Sequence, residues 1–329
     1  MLHYPARIEL GHLPTPVEEM PRLTEALDGP HLFIKRDDET GLATGGNKTR
    51  KLEFLLADAL EEGADTVITA GAGQSNHCRQ TAAAAAQCGL KCILTLTGSD
   101  PGVWNGNLLL DDLLGAEVRF VGDVTWTGLL DVMAVVADEV RARGGKPYVI
   151  PVGGSNPVGA IGYVAAMEEF MGQLKERGLN IDYIVFASSS GGTQSGLVVG
   201  ARAFSFEGQV LGISVASKVD DLMEVLEQLS ADTAKHLGLD FHFSGDDFQV
   251  NDDYLGAGYG KPAEPERKAI RLLAQTEGIL ADPVYTGRAL AGLMDLIGKG
   301  TFDKEETVLF WHTGGTAALF AYVEELFGP

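Results

Sequence analysis

Ser188-Ser-Ser-Gly-Gly-Thr-Gln-Ser-Gly196 follows an apolar run, Tyr183-Ile-Val-Phe-Ala187, and leads into a helical pattern, Leu197-Val-Val-Gly-Ala-Arg-Ala-Phe204. A strand, a loop of small residues and a helix, in that order, build a cup for an anion. Glycines let backbone N–H groups approach, hydroxyls add donors, and the helix start supplies partial positive charge. The stretch lacks the G-x-x-x-x-G-K-[ST] pattern of a P-loop and the G-x-G-x-x-G spacing of a dinucleotide fold. Taken alone it is equally a flexible turn.

Outward from this stretch, short β-rich runs alternate with helical patterns. Asp65–Thr69, Lys91–Leu96, Glu117–Phe120, Tyr148–Pro151, Val210–Val215 and Val308–Trp311 read as further buried strands. Arg50–Glu62, Asn76–Cys88, Leu129–Arg143, Val158–Glu176 and Arg288–Ile297 read as helices, and the alanine run Ala82–Ala86 as the interior of a tightly packed one. Such alternation predicts βαβ units and an α/β fold of mostly parallel sheets. Glycine-rich stretches at Gly41–Gly46 and at Gly153–Pro157 mark hinge positions. They divide the chain into a small α/β unit, 49–157, inserted in a larger unit formed by 1–48 and 158–329.

Composition narrows the function. The chain has 329 residues, 45% of them hydrophobic, and 25 basic against 46 acidic residues give a net charge of −21. An anionic surface repels phosphate backbones and acidic lipid, which argues against nucleic-acid and membrane partners. No run approaches the length of a membrane span, and Met1–Arg7 has no apolar signal core, so the expected compartment is the cytoplasm. The three cysteines, Cys78, Cys88 and Cys92, form no C-x-x-C pair and are expected to be reduced. The acidic pairs Asp246-Asp247 and Asp252-Asp253 and the residues His242 and His312 complete no metal-ligand spacing, so no metal is expected.

Two more segments carry chemistry. Ala70-Gly-Ala-Gly-Gln-Ser-Asn-His77 repeats the strand–loop–helix arrangement, with Ser75 or Asn76 as the helix cap and free N–H groups suited to a carboxylate. His77 is either a donor or base there, or a structural histidine bonded to a backbone carbonyl. In Thr44-Gly-Gly-Asn-Lys-Thr-Arg-Lys51, Asn47 is a helix cap and Lys48 sits at the helix start. The dipole and the nearby Lys51 disfavour an ammonium, and a lysine so depressed suits covalent chemistry with an aldehyde. A surface-lysine reading fits the segment equally, but the two anion sites need a ligand to unite them. One cofactor offers an aldehyde to a lysine and a phosphate to a glycine-rich loop: pyridoxal 5'-phosphate.

Together, Gly45-Gly-Asn-Lys-Thr-Arg-Lys-Leu-Glu53, Gln74-Ser-Asn-His77, Asp282-Pro-Val-Tyr-Thr-Gly287 and His312-Thr-Gly-Gly315 resemble the motif set of the D-cysteine desulfhydrase and 1-aminocyclopropane-1-carboxylate deaminase family. The similarity runs from Pro14-Thr-Pro16 to Tyr322. It implies a tryptophan synthase β-like pyridoxal-phosphate fold (fold type II), with two open, mostly parallel twisted sheets and helices on both faces. It implies that Lys48 bonds the cofactor aldehyde, that Asn76 bonds its phenolic oxygen, and that Ser190, Gly191, Gly192 and Thr193 hold its phosphate. Ser75 matches a serine facing the substrate carboxylate or acting as nucleophile, and Ser75, Asn76 and His77 are expected to hold that carboxylate. Tyr259, in Gly256-Ala-Gly-Tyr-Gly260, and Tyr285 match two active-site tyrosines. Deaminases carry Glu and Leu where this chain has Thr286 and Thr313. Thr286 is therefore expected at the substrate and Thr313 at the ring nitrogen, giving the weaker electron sink of the desulfhydrase branch. Gly98–Asn105 looks shorter than the family's loop, and Trp104 in it either covers the site or packs.

The expected activity is β-elimination on a small amino acid, D-cysteine foremost, with Lys48 preferred over Tyr285 as the base at Cα. Alternatives are an L-cysteate sulfo-lyase, with Arg79, Lys218 or Arg288 at the sulfonate, a 1-aminocyclopropane-1-carboxylate deaminase and a non-catalytic amino-acid-binding protein. Family resemblance also implies a homodimer.

Overall fold

The apolar runs pair as strands because each has two faces to bury. The computed structural model describes residues 2–327. Its strands are β1 (Val17–Glu19), β2 (His31–Arg36), β3 (Thr66–Ala72), β4 (Lys91–Thr97), β5 (Glu117–Phe120), β6 (Pro147–Val149), β7 (Tyr183–Ser188), β8 (Gln209–Ser214), β9 (Gln249–Asn251) and β10 (Thr307–His312). Its helices are α1 (Pro21–Leu27), α2 (Lys48–Glu61), α3 (Asn76–Cys88), α4 (Gly106–Leu113), α5 (Gly128–Ala142), α6 (Pro157–Arg177), α7 (Gly192–Ala203), α8 (Val219–His236), α9 (Glu264–Glu277), α10 (Thr286–Gly298) and α11 (Val323–Phe327).

One sheet has the order β1-β2-β10-β7-β8-β9 and the other β5-β4-β3-β6. Every pairing is parallel except β1 with β2. Alternate side chains of the larger sheet enter different cores. Val185, Val308 and Phe310 pack with α9 and α10, whereas Ile184, Phe186, Leu309 and Trp311 pack with α6 and α7. The smaller sheet divides likewise, with Val67, Leu94 and Leu96 toward α2 and α3, and Ile68, Ala70 and Ile93 toward α5. Helices thus cover both faces of each sheet, as expected for this α/β class.

Sequence patterning overlooked β1, β2 and β9. In β2 the apolar run ends in Lys35-Arg36, which reads as surface. Lys35 is instead fully buried, with its ammonium on Glu169 (2.5 Å), Gln173 (2.7 Å) and the Thr15 carbonyl (2.7 Å). It belongs to a buried polar cluster that fixes the start of α2. Asp37 accepts two bonds from Arg50 (2.8 and 2.9 Å) and others from Tyr163, Trp311 and Thr15. Burial alone would raise the Asp37 carboxyl, but Arg50 and these donors outweigh it and hold the group at about 2. Gly162 of α6 lets the α2 backbone approach, since a Cβ there would lie 2.3 Å from the Arg50 carbonyl oxygen.

The smaller unit's core contains an unusual acid. Asp111 of α4 is fully buried, and neither carboxylate oxygen has a hydrogen-bond partner. Burial pushes its carboxyl up to about 8, with Arg79 opposing. A folded-state value above the unfolded one contributes stability at low pH that is lost as pH rises from about 4 to 8. Asp111→Asn should therefore stabilise less near pH 5 than near pH 9. Near pH 9 it should stabilise by about 1–3 kcal/mol, measured by urea unfolding at both pH values. Equal effects at both would refute the assignment.

Candidate active site

The loops after β3, β7 and β10 and the first turn of α2 meet in one cleft, beyond the carboxyl ends of the strands, where open α/β sheets place ligands. Lys48, Asn76, Ser190, Thr193, Tyr285 and Thr313 line a small cavity. A wider one adjoins it, sharing Lys48, His77, Ser190 and Tyr285 and adding Ser75, Tyr259 and Trp126. The predicted site residues thus converge from distant parts of the chain, with one exception described below.

The loop expected to hold a phosphate runs from the end of β7 into α7. Gly191 takes φ +83°, and α7 begins at Gly192 without a side-chain cap. Ser155 accepts from the Gly192 N–H (3.2 Å) and pairs with the Ser190 hydroxyl (2.8 Å). Asn47 stands at the cap position of α2, but its amide donates to Thr193 (3.0 Å) instead of capping. Behind the cup lies Lys51, 1% exposed, whose ammonium donates to the Gly153 carbonyl (3.1 Å) and has no carboxylate partner among the described residues. Burial, with Lys48 adding repulsion, pushes it well below the usual lysine range. A Cβ at Gly192 would lie 2.9 Å from the Ser155 Cα, a backbone atom that cannot easily give way, so the position favours glycine. A buried amine that lacks an anionic partner, beside a helix start with no side-chain cap, fits the phosphate of pyridoxal phosphate, which would favour its charged form. Ser190, Gly191, Gly192, Thr193 and Lys51 would hold it.

Lys48 enters the cleft from the first turn of α2, and burial lowers its ammonium to about 8. Asn76 is oriented by a relay. Arg79 donates to the Asn107 carbonyl oxygen (2.9 Å), which turns the Asn107 amide nitrogen to the Asn76 side-chain oxygen (2.8 Å). Asn76 is left presenting its amide N–H groups, the polarity a phenolic oxygen needs. Ser75 caps α3, accepting from the Cys78 N–H (3.2 Å), and its own proton stays free to donate. His77 departs from expectation. Its Nε2 lies 2.9 Å from Thr69 Oγ1, whose proton goes to the Ile150 carbonyl, so Nε2 is the donor. Nδ1 is then a buried, unpartnered lone pair. Burial and the charges of Lys48 and Lys51 keep the ring neutral. A lone pair there does not suit a carboxylate.

Tyr259 and Tyr285 share a hydroxyl–hydroxyl hydrogen bond of 2.6 Å at the cleft. Burial raises both phenols, so both are protonated near neutral pH. Thr313 lines the smaller cavity. Its loop is held by His312, which accepts from the Gly314 N–H (3.0 Å) and therefore donates through Nε2 to the Leu280 carbonyl (3.1 Å). Thr286 is the exception. It is fully buried, its hydroxyl donates to Asp282 (2.8 Å) and accepts from the Asp282 N–H (2.7 Å), and it lines neither cavity. It fixes the turn that presents Tyr285 rather than meeting the substrate.

Ser155, Asn107 and Trp126 escaped the sequence reading, and Lys51 entered it only as a source of repulsion on Lys48. Spacing does hint at Lys51, one turn after Lys48, whereas the others reach the site through tertiary contacts alone. Trp104 packs on Phe120 and donates to Asp100 (2.8 Å), and the cleft aromatic is Trp126. Arg79 and Arg288 are buried in structural bonds, and Lys218 pairs with Asp252, so none of the three lines the cleft.

The comparisons agree with this geometry. The chain is 48% identical over 321 residues to a D-cysteine desulfhydrase of Klebsiella pneumoniae (strain 342), covering 96% of each protein. The crystal structure of a homologue of 1-aminocyclopropane-1-carboxylate deaminase superposes with a TM-score of 0.91 at 39% identity, over 98% of this chain and 95% of that one. Threonine deaminase isoform 2 from Solanum lycopersicum shares the fold, at 16% identity and a TM-score of 0.67 over 98% of this chain and 83% of its own. A family model for pyridoxal-phosphate dependent enzymes matches residues 8–314, and this chain belongs to that family.

Proposed function

We propose that this enzyme eliminates sulfide from D-cysteine, giving pyruvate, ammonia and hydrogen sulfide. The observation that carries the reading is the near-full-length identity to a D-cysteine desulfhydrase, joined to a cleft in which Lys48, Ser75, Asn76 and the tyrosine pair converge. When bound, pyridoxal phosphate supplies the electron sink that lets a Cα proton and a β substituent depart. Ser75 and Asn76 orient the substrate carboxylate by donating to it. Lys48, held near 8, has a substantial free-amine fraction near neutral pH and takes the Cα proton. Tyr285 and Tyr259, both protonated, are donors rather than bases, and their shared hydrogen bond directs a proton to the departing sulfur. Thr313, a neutral group lining the smaller cavity, would meet the cofactor's ring nitrogen, which suits a β-elimination.

A sulfonate leaving group would call for a cation at the outer cleft, where Asp221 stands instead. The enzyme is further proposed to act as a cytoplasmic homodimer, with units 49–157 and 1–48/158–329 flanking the cleft. The test is a screen of D-cysteine, L-cysteine, L-cysteate and 1-aminocyclopropane-1-carboxylate, scored by keto acid and sulfur product. Sulfide with pyruvate from D-cysteine is expected to dominate. Faster release of sulfite, or of 2-oxobutyrate, would overturn the reading.

A further inference from the structure

Arg79 of α3 is a fully buried cation that directs its donors at neutral oxygens. Its Nε donates to the Asn107 side-chain oxygen (2.9 Å), one terminal nitrogen to the Gly45 carbonyl (3.0 Å) and the other to the Ala43 carbonyl. A carboxylate is at hand. Asp111 is buried on α4 one turn after Asn107, yet neither of its oxygens has a hydrogen-bond partner among the described residues. A guanidinium that passes over a buried carboxylate for three neutral acceptors is held by the fold rather than by charge pairing. Both ends of its grip reach the site. Ala43 and Thr44 take φ of +42° and +71°, a left-handed conformation rare outside glycine, just ahead of Lys48. The bonds to Ala43 and Gly45 keep that strained turn in place. On the other side, the Asn107 amide nitrogen donates to the Asn76 side-chain oxygen (2.8 Å) and to the Gln74 carbonyl (3.0 Å). The Asn76 nitrogen is thereby turned toward the loop after β10, where a Cβ on Gly315 would stand 2.7 Å from it. Asn76, Thr313 and Gly314 line the smaller cavity together.

We infer that Asn107 is a positioning residue for the cofactor: anchored by the guanidinium that also fixes the turn before Lys48, it sets Asn76 to donate to the cofactor's phenolic oxygen. The inference rests on the placing of Asn76 at that oxygen and is independent of which amino acid is the substrate. A donor there favours the oxygen's anionic form, which gives the bound cofactor its yellow absorbance, over the neutral form, which absorbs in the near ultraviolet. N107D inverts the arrangement. The new carboxylate accepts from Arg79 and gains an ion pair, but it has no proton for Asn76. The Asn76 amide then turns its nitrogen to that carboxylate and presents its own oxygen to the cofactor.

The test reconstitutes native, N107D, N76A and N76A/N107D apoproteins with pyridoxal 5'-phosphate. It reads the cofactor Kd and the ratio of yellow to near-ultraviolet absorbance at one pH, with thermal midpoints alongside. N107D should remain folded, bind the cofactor about 10- to 100-fold more weakly and lower the absorbance ratio by about threefold or more. Added to N76A, N107D should change neither quantity by more than about twofold, because the group through which it acts is gone. An unmoved Kd and ratio in N107D, or an equal effect of N107D in the N76A background, overturns the inference. If N76A itself moves neither quantity, Asn76 does not meet the phenolic oxygen, and that reading falls together with the inference. A shift in N76A without one in N107D overturns the role of Asn107 alone. Should N107D fail to fold, N107A makes the same comparison, with shifts in the same direction expected and no shift overturning the inference.

Discussion

Lys48→Ala should lower sulfide release by about 10⁴-fold or more, because in the function proposed above one amine both bonds the cofactor's aldehyde and serves as the base at Cα. Alanine is an excellent helix former, so the variant keeps α2 and its thermal midpoint, which separates lost chemistry from lost fold. Lys48→Arg, charged but unable to bond the aldehyde, should be equally inactive. Borohydride treatment of the coloured native enzyme should fix the cofactor to the peptide containing Lys48 and to no other. Burial holds this ammonium at about 8. Cofactor uptake by the apoprotein should therefore quicken as pH rises through about 8, as the free amine accumulates, and level off above it. Sulfide release in Lys48→Ala above about 1% of native, or labelling of a different lysine, would sink the assignment.

Lys51→Met should act in opposite directions on the apoprotein and on cofactor binding. Lys51 is a buried amine whose charged form burial disfavours, bonded to the Gly153 carbonyl and lacking a carboxylate partner among the described residues. Methionine fills similar space without the desolvation penalty, so the apoprotein should gain about 1–3 kcal/mol of stability. Once a phosphate lies in the cup, the same charge becomes favourable. Its loss should weaken cofactor affinity by about 2–4 kcal/mol, roughly 30- to 1000-fold in Kd. The pH dependence gives a second check. A lysine depressed in the folded state binds fewer protons there than in the unfolded chain, so native apoprotein stability rises with pH from that lowered value up to about 10.4. Lys51→Met should flatten this slope. Urea unfolding of the apoprotein across pH, with cofactor titration by absorbance, measures both. A destabilised apoprotein or unchanged affinity would show that Lys51 is a packing residue only.

The two lysines also show how far the sequence could be read. The spacing of Lys48 behind paired glycines, and of Ser190–Thr193 after a strand, expresses local rules of helix starts and anion cups. Those rules operate over a few residues and are written in the chain. Lys51 passed as a source of repulsion because its burial depends on α6 and the Gly153–Ser155 turn, remote in sequence. Thr286 was expected at the substrate, and only folding shows its hydroxyl closed upon Asp282. His77 carries no sign in the sequence of which nitrogen is free. That follows from Thr69 in mid-β3 and Ile150 just after β6, both brought beside it.

The amino-acid order by itself determined the alternation of strands and helices, the parallel class of the sheets, and the cofactor, because periodicity and loop chemistry are local. Tertiary structure alone decided that Lys35 and Lys51 are buried, that the Arg79–Asn107 pair sets the direction of Asn76, and that Trp126 rather than Trp104 walls the cleft. Each of these depends on which groups exclude water from a given side chain. That is a property of surfaces meeting across the fold, and no window of the chain contains it.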